Sequence, residues 1–261
     1  MKTYIVAALM LALLPLAGCA GVSEAQPGPG GHESGTLAPA PEPPAGRPVR
    51  VVTFVDKTGS APAAACPQPD ASAFGELIDV IGTRGGELGV GLISADSDRP
   101  LVRLLIPEPP ARPALADRAN NAFDRRRERL ANAELAAAHE TAVLRWRSGV
   151  EARVSGFRTE LAAILSTPVA CRRTDIWGAL ARADLYIAEP DPGWSVAPAQ
   201  YVVLVTDGIH NTTTRPVQLT RNSKLLLVNG AGSVGVLASL DPGRFESLEA
   251  AFRFIRHQHG G

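Results

Sequence analysis

Residues 51–55 of this 261-residue chain form an unbroken run of apolar and β-branched side chains. Such a run, continuous rather than alternating, predicts a strand buried on both faces, as in a parallel sheet. Residues 201–205 and 225–228 repeat the pattern. Residues 88–94 and 101–106 flank the turn Asp96-Ser97-Asp98-Arg99-Pro100 and predict an antiparallel hairpin at the sheet's edge. Asp96 and Asp98 are read there as turn formers. Between the strands the spacing changes to three and four. Phe74, Leu77, Ile78 and Ile81 predict one helix, Ile176, Leu180 and Leu185 a second, and Phe245, Leu248, Phe252 and Ile255 a third near 244–257. A longer helical stretch spans roughly 114–165. Its second half carries a sheet-packing face of Trp146, Val150, Val154, Phe157, Leu161 and Ile164. Its first half is rich in Ala, Arg and Glu, with a thin heptad-spaced seam of Phe123, Leu130, Ala137 and Leu144. Strands alternating with helices predict a three-layer α/β fold, a mainly parallel sheet with helices on both faces and one antiparallel edge.

Composition divides the chain. Lys2 precedes an apolar run at 5–14, too short to span a bilayer but suited to the core of a signal peptide over 1–18. Leu16-Ala17-Gly18-Cys19 resembles a bacterial lipobox, which implies cleavage before Cys19 and lipidation there. Multiple acyl chains anchor firmly. The expected location is the bacterial cell envelope, extracytoplasmic and lipid-anchored, at the outer membrane in a Gram-negative source. From Cys19 to Pro48 the chain is rich in Pro and Gly and lacks aromatic residues, so it reads as a disordered tether. Residues 49–261 are then enough for one domain with a substantial core. The formal charge is zero, which gives no electrostatic reason to expect nucleic acid.

The chemistry collects behind the first strand. Asp56, Thr58 and Ser60 fall at alternate positions, with Gly59 allowing close backbone approach. One carboxylate and two hydroxyls suit a small, hard cation. A threonine, Thr174, leads into a helical segment from Asp175 to Tyr186 that carries the pair Ala179-Leu180, with Thr174 or Asp175 near its N-cap, and Asp207 follows the later strand in Thr206-Asp207-Gly208. The Asp-x-Thr-x-Ser pattern, the separate threonine and the Thr-Asp-Gly motif, in that order, resemble the metal-ion-dependent adhesion site of von Willebrand factor type A domains. That resemblance covers residues 48–261 apart from a helical insertion or extension at about 110–148. It implies that Asp56, Thr58, Ser60, Thr174 and Asp207 hold Mg2+ or Mn2+, directly or through water. A partner protein's Asp or Glu would complete the coordination. It implies a protein-binding module rather than an enzyme, joined to the membrane only by its lipid. Thr58 replaces the family's usual serine, and no clear helix follows Asp207. His210 is read as a rim residue, since Mg2+ prefers oxygen.

The same placement of loops puts Cys66, six residues past Ser60, and Cys171, three before Thr174, at one edge of the sheet. It therefore implies a disulfide between them, in a compartment that favours one. Closing about 105 residues, it would stabilise the fold by up to about 4–5 kcal/mol in the chain-entropy account. Two buried thiols are the alternative.

Two other motifs lead elsewhere. Gly230, Gly232 and Gly235 spell a dinucleotide fingerprint, but Val234, Val236 and Leu237 read as strand rather than as the helix that motif must open. A Gly-rich turn between strands is expected, and no nucleotide. Asp56-Lys57-Thr58-Gly59 resembles the phosphorylated aspartate motif of the haloacid dehalogenase superfamily, which would make Asp56 a nucleophile. That family needs a lysine before its later acidic motif. Here the only lysine after Lys57 is Lys224, beyond Asp207. A further alternative is a metal-independent envelope scaffold that binds through the long helix. His257 and His259 are expected to fray at the chain's end.

Overall fold

A computed structural model describes residues 46–59, 68–168, 172–219, 223–229 and 234–259. The leader, Cys19 and the Pro/Gly segment through residue 45 lie outside these, as do Ser60, Cys66, Cys171, Gly230 and Gly232. In chain order the elements are β1 (Val49–Asp56), α1 (Gly75–Arg84), β2 (Gly86–Ile93), β3 (Val102–Ile106) and α2 (Ala122–Leu165). They continue with α3 (Ile176–Ala188), β4 (Ala199–Val205), β5 (Lys224–Val228), β6 (Gly243–Phe245) and α4 (Leu248–His259). Short 3-10 turns occupy Ala71–Phe74 and Gly235–Leu240.

The strands form one six-stranded sheet in the order β3-β2-β1-β4-β5-β6. All pairings are parallel except β2 with β3, the expected antiparallel edge. Strand β1 is central, pairing with β2 from Val49 opposite Gly86 to Asp56 opposite Ile93, and with β4 from Val49 opposite Ala199 to Val55 opposite Val205. Every residue of β1 is buried, which is why its sequence does not alternate. Val51 and Val55 face a core shared with α1, α2 and α4, while Val52 and Phe54 face a second core built on α3. Two apolar layers on one sheet define a three-layer α/β fold with helices on both faces.

The ends of the sheet are fastened differently. At the end where β1 begins, the buried Arg50 pairs with Glu87 at 3.1 Å and donates to the carbonyl oxygens of Ile187, Glu189 and Pro190. The guanidinium thereby holds the chain leaving α3 against β1. His259 is not frayed: α4 runs through it, and its Nε2 lies 2.7 Å from the Tyr201 hydroxyl. Burial and the nearby charges of Arg47, Arg84 and Lys224 hold its imidazole below the usual histidine range.

Other expectations need correction. Helix α2 starts at Ala122, not 114, because Asn121 caps it, its side chain accepting from Asp124 N at 2.8 Å. The preceding segment runs back along the helix instead. Ala116 exchanges two hydrogen bonds with the Asn132 side chain, and Glu128 accepts from the backbone of Arg118 and Ala119. Residues 234–237 lead into a 3-10 turn rather than a strand, although Leu237 is buried as a strand residue would be. Phe245 belongs to β6, leaving α4 with Leu248, Phe252 and Ile255 in the core. Leu185 is exposed; the buried face of α3 is completed by Ala179, Ala183 and Ile187.

Candidate functional site

The strand order turns back on itself between β1 and β4. In doubly wound sheets, the carboxyl ends of strands at such a reversal form the ligand crevice. Asp56 ends β1, and Thr206 and Asp207 directly follow β4. The parallel register brings Thr206 beside Asp56, and its hydroxyl donates to Asp56 Oδ2 at 2.8 Å. Thr58, two residues on, turns back so that both its backbone N (2.9 Å) and its Oγ1 (2.6 Å) donate to Asp56 Oδ1.

Thr174 reaches the same place from the other side of β1. Its loop is docked on the end of β2: Asp175 N donates to Ser94 O at 2.8 Å, and Ser97 Oγ donates to Asp175 O at 2.8 Å. Asn211, in the loop after β4, fixes it further. The Asn211 side chain accepts from Thr174 N at 2.6 Å, while its backbone N donates to Thr174 O at 3.2 Å. Thr174 Oγ1 then lies 2.8 Å from Thr58 Oγ1. Since the single hydroxyl hydrogen of Thr58 goes to Asp56, Thr174 is the donor in that pair.

Gly208 carries the turn after Asp207. Its φ is 77°, in the left-handed region, and a Cβ there would meet the backbone of Val234 at 2.9 Å. Val236 N donates to Gly208 O at 3.1 Å, tying the turn to the segment after β5.

Asp56 is 1% exposed and Asp207 4%. Burial pushes the Asp56 carboxyl above the ordinary aspartate range; the hydrogen bonds from Thr58 and Thr206 pull it back, and the neighbouring charge of Asp207 raises it again. Asp207 Oδ1 accepts from Ile209 N at 2.9 Å. Asp207 Oδ2 is buried without a hydrogen-bond partner among the described residues. An unsatisfied buried carboxylate oxygen costs free energy, the more so beside a second carboxylate.

Of the five residues expected at one site, Asp56, Thr58, Thr174 and Asp207 collect at the carboxyl ends of β1 and β4, and Ser60 lies outside the described residues. Their donor set, two carboxylates and hydroxyls, is all oxygen and fits a hard divalent cation. Among the described residues no group of three or more His, Cys, Asp or Glu side chains is placed to hold a metal, but a set half made of threonines lies outside that composition. His210 is at the rim: its Nδ1 accepts from Ile176 N at 3.3 Å, and its ring meets Trp177 edge-on. Two residues absent from the expected site contribute to it. Thr206 is adjacent to Asp207 in the sequence but is hidden as a strand end, and Asn211 acts only by holding the Thr174 loop.

Comparison of the chain with protein-family models, curated proteins and solved structures finds no match in any of the three.

Proposed function

We propose that this chain is a metal-dependent protein-binding module of the von Willebrand factor A kind, tethered to a bacterial envelope through Cys19. The observation that carries the reading is the buried Asp207 Oδ2, without a hydrogen-bond partner among the described residues, beside the raised carboxyl of Asp56. Two carboxylates held close in a dry site are costly alone and favourable around a cation. Asp56, Thr58, Thr174 and Asp207 would hold Mg2+ or Mn2+, with Ser60 as a further hydroxyl. When bound, the cation supplies positive charge and an exchangeable position for an acidic side chain of a partner protein. Thr206 and the Thr58 backbone orient Asp56, and Asn211 fixes the height of Thr174. The proposed role is adhesion rather than catalysis. No nucleotide or nucleic acid is part of it, and the membrane enters only through the lipid.

Calorimetric titration of the protein with Mg2+ and Mn2+ tests this. Heat of binding is expected in the wild type and absent in Asp56→Ala, Thr174→Ala and Asp207→Ala. Equal binding by all four proteins would move the metal elsewhere. No binding by the wild type, even with an acidic peptide present, would sink the reading.

A further inference from the structure

The amino-terminal half of α2 presents an apolar stripe that nothing among the described residues covers. Phe123 is 77% exposed, Leu130 62% and Leu144 56%. At roughly 100° per residue, these and Ala137 lie about 150° around the helix from the face formed by Val143, Trp146, Val150, Phe157 and Leu161. That other face is engaged at both ends. Its carboxyl-terminal part packs on the sheet, and its amino-terminal part, through Glu128 and Asn132, receives the segment 116–119. The stripe therefore points away from both. Before Val143 the arm is about 30 Å long at 1.5 Å per residue.

Charge decides what can cover it. Arg126 and Arg127 flank the stripe near its start, and Glu134 and Glu140 flank it farther on. Among the described residues none of these four side chains has an ion-pair or hydrogen-bond partner. Ala131, Ala133 and Ala136 to Ala138 lie between them, small side chains that let another helix approach closely. A second copy laid parallel would set Arg against Arg and Glu against Glu. Laid antiparallel, it sets Arg126 and Arg127 across from the glutamates.

We propose that the α2 arm pairs antiparallel with the same arm of a second copy, forming a two-fold dimer. The axis passes beside the stripe at the level of residues 130–133, Leu130 of each copy packs on Ala133 of the other, and Arg127 faces Glu134. Such an interface is isologous and closes on itself, so it stops at two copies. It is independent of the metal reading.

Sedimentation equilibrium of the full chain in detergent is the test. The wild type is expected to shift from monomer to dimer with concentration. Arg126→Glu with Arg127→Glu, and separately Glu134→Arg with Glu140→Arg, should each weaken self-association at least about tenfold. An equimolar mixture of the two variants should recover dimer, because their arms then carry opposite charge. All four positions are solvent-facing, so both variants should keep the wild-type melting temperature. A wild type monomeric at every concentration, or a dimer indifferent to both charge reversals, overturns the proposal.

Discussion

At the scale of single residues, Asp56 shares the cost of the site with the unsatisfied Asp207. Its carboxyl is raised by burial and by Asp207, so the fold favours its protonated form. Below the ordinary aspartate range both folded and unfolded chains carry the proton, and nothing is lost. As pH rises from there through the elevated value, the unfolded chain releases the proton more readily and stability falls. Above that elevated value the metal-free protein bears the full cost. Asp56→Asn should raise its melting temperature, by roughly 2–4 °C per kcal/mol relieved in a domain of this size. It should also abolish any rise produced by Mg2+. Thermal melts at pH 7 with and without the cation check both halves. A variant that melts below the wild type without metal would show that Asp56 is already compensated by its hydroxyl neighbours.

At the scale of elements, α2 combines two helices with different partners. Leu161 is fully buried against the sheet, and Leu161→Ala is expected to cost about 2–5 kcal/mol. Leu135, 45% exposed on the arm, should tolerate the same change within about 0.5 kcal/mol. Chemical denaturation of the two variants distinguishes them. That division is visible in the sequence, since the second half repeats large apolar residues at three and four and the first does not. The start of the helix is not visible. Ala, Arg and Glu suit a helix from 114 onward; the Asn121 cap and the capture of the 116–119 backbone by Asn132 and Glu128 together hold its start at Ala122. Leu185 misleads for a related reason. On α3 the buried face is finished by alanines, whose small side chains give little signal, while the larger leucine sits half a turn away. At 234–237, three apolar residues among glycines fit a strand or a 3-10 turn equally, and Val236 N bonding to Gly208 O decides for the turn. The site was more legible than its supports. Asp56, Thr58 and Asp207 stand beside strands that announce themselves, but Thr206 and Asn211 act through a register and a loop contact that spacing does not reveal.

At the scale of the whole molecule, β1 has a second use. The described chain meets the sheet at Val49 and arrives at the candidate site at Asp56, so one strand of eight residues joins the two ends of the domain. At about 3.3 Å per residue that is some 26 Å. Optical-trap pulling with handles at Arg47 and Thr58 should give no unfolding step, because the tension stays in covalent backbone. Handles at Arg47 and His259 should unfold the domain, with a length gain of several hundred ångströms at about 3.5 Å per residue. An unfolding step with the first pair would show that the load leaves β1 for its neighbours. On the proposed reading, an anchor at Cys19 and a partner at the cation site would pull on the domain at opposite ends of β1, whose backbone is one covalent path. Drag on such a partner would load β1 end to end, and only the share carried by Thr174 and Asp207 would reach α3 and β4.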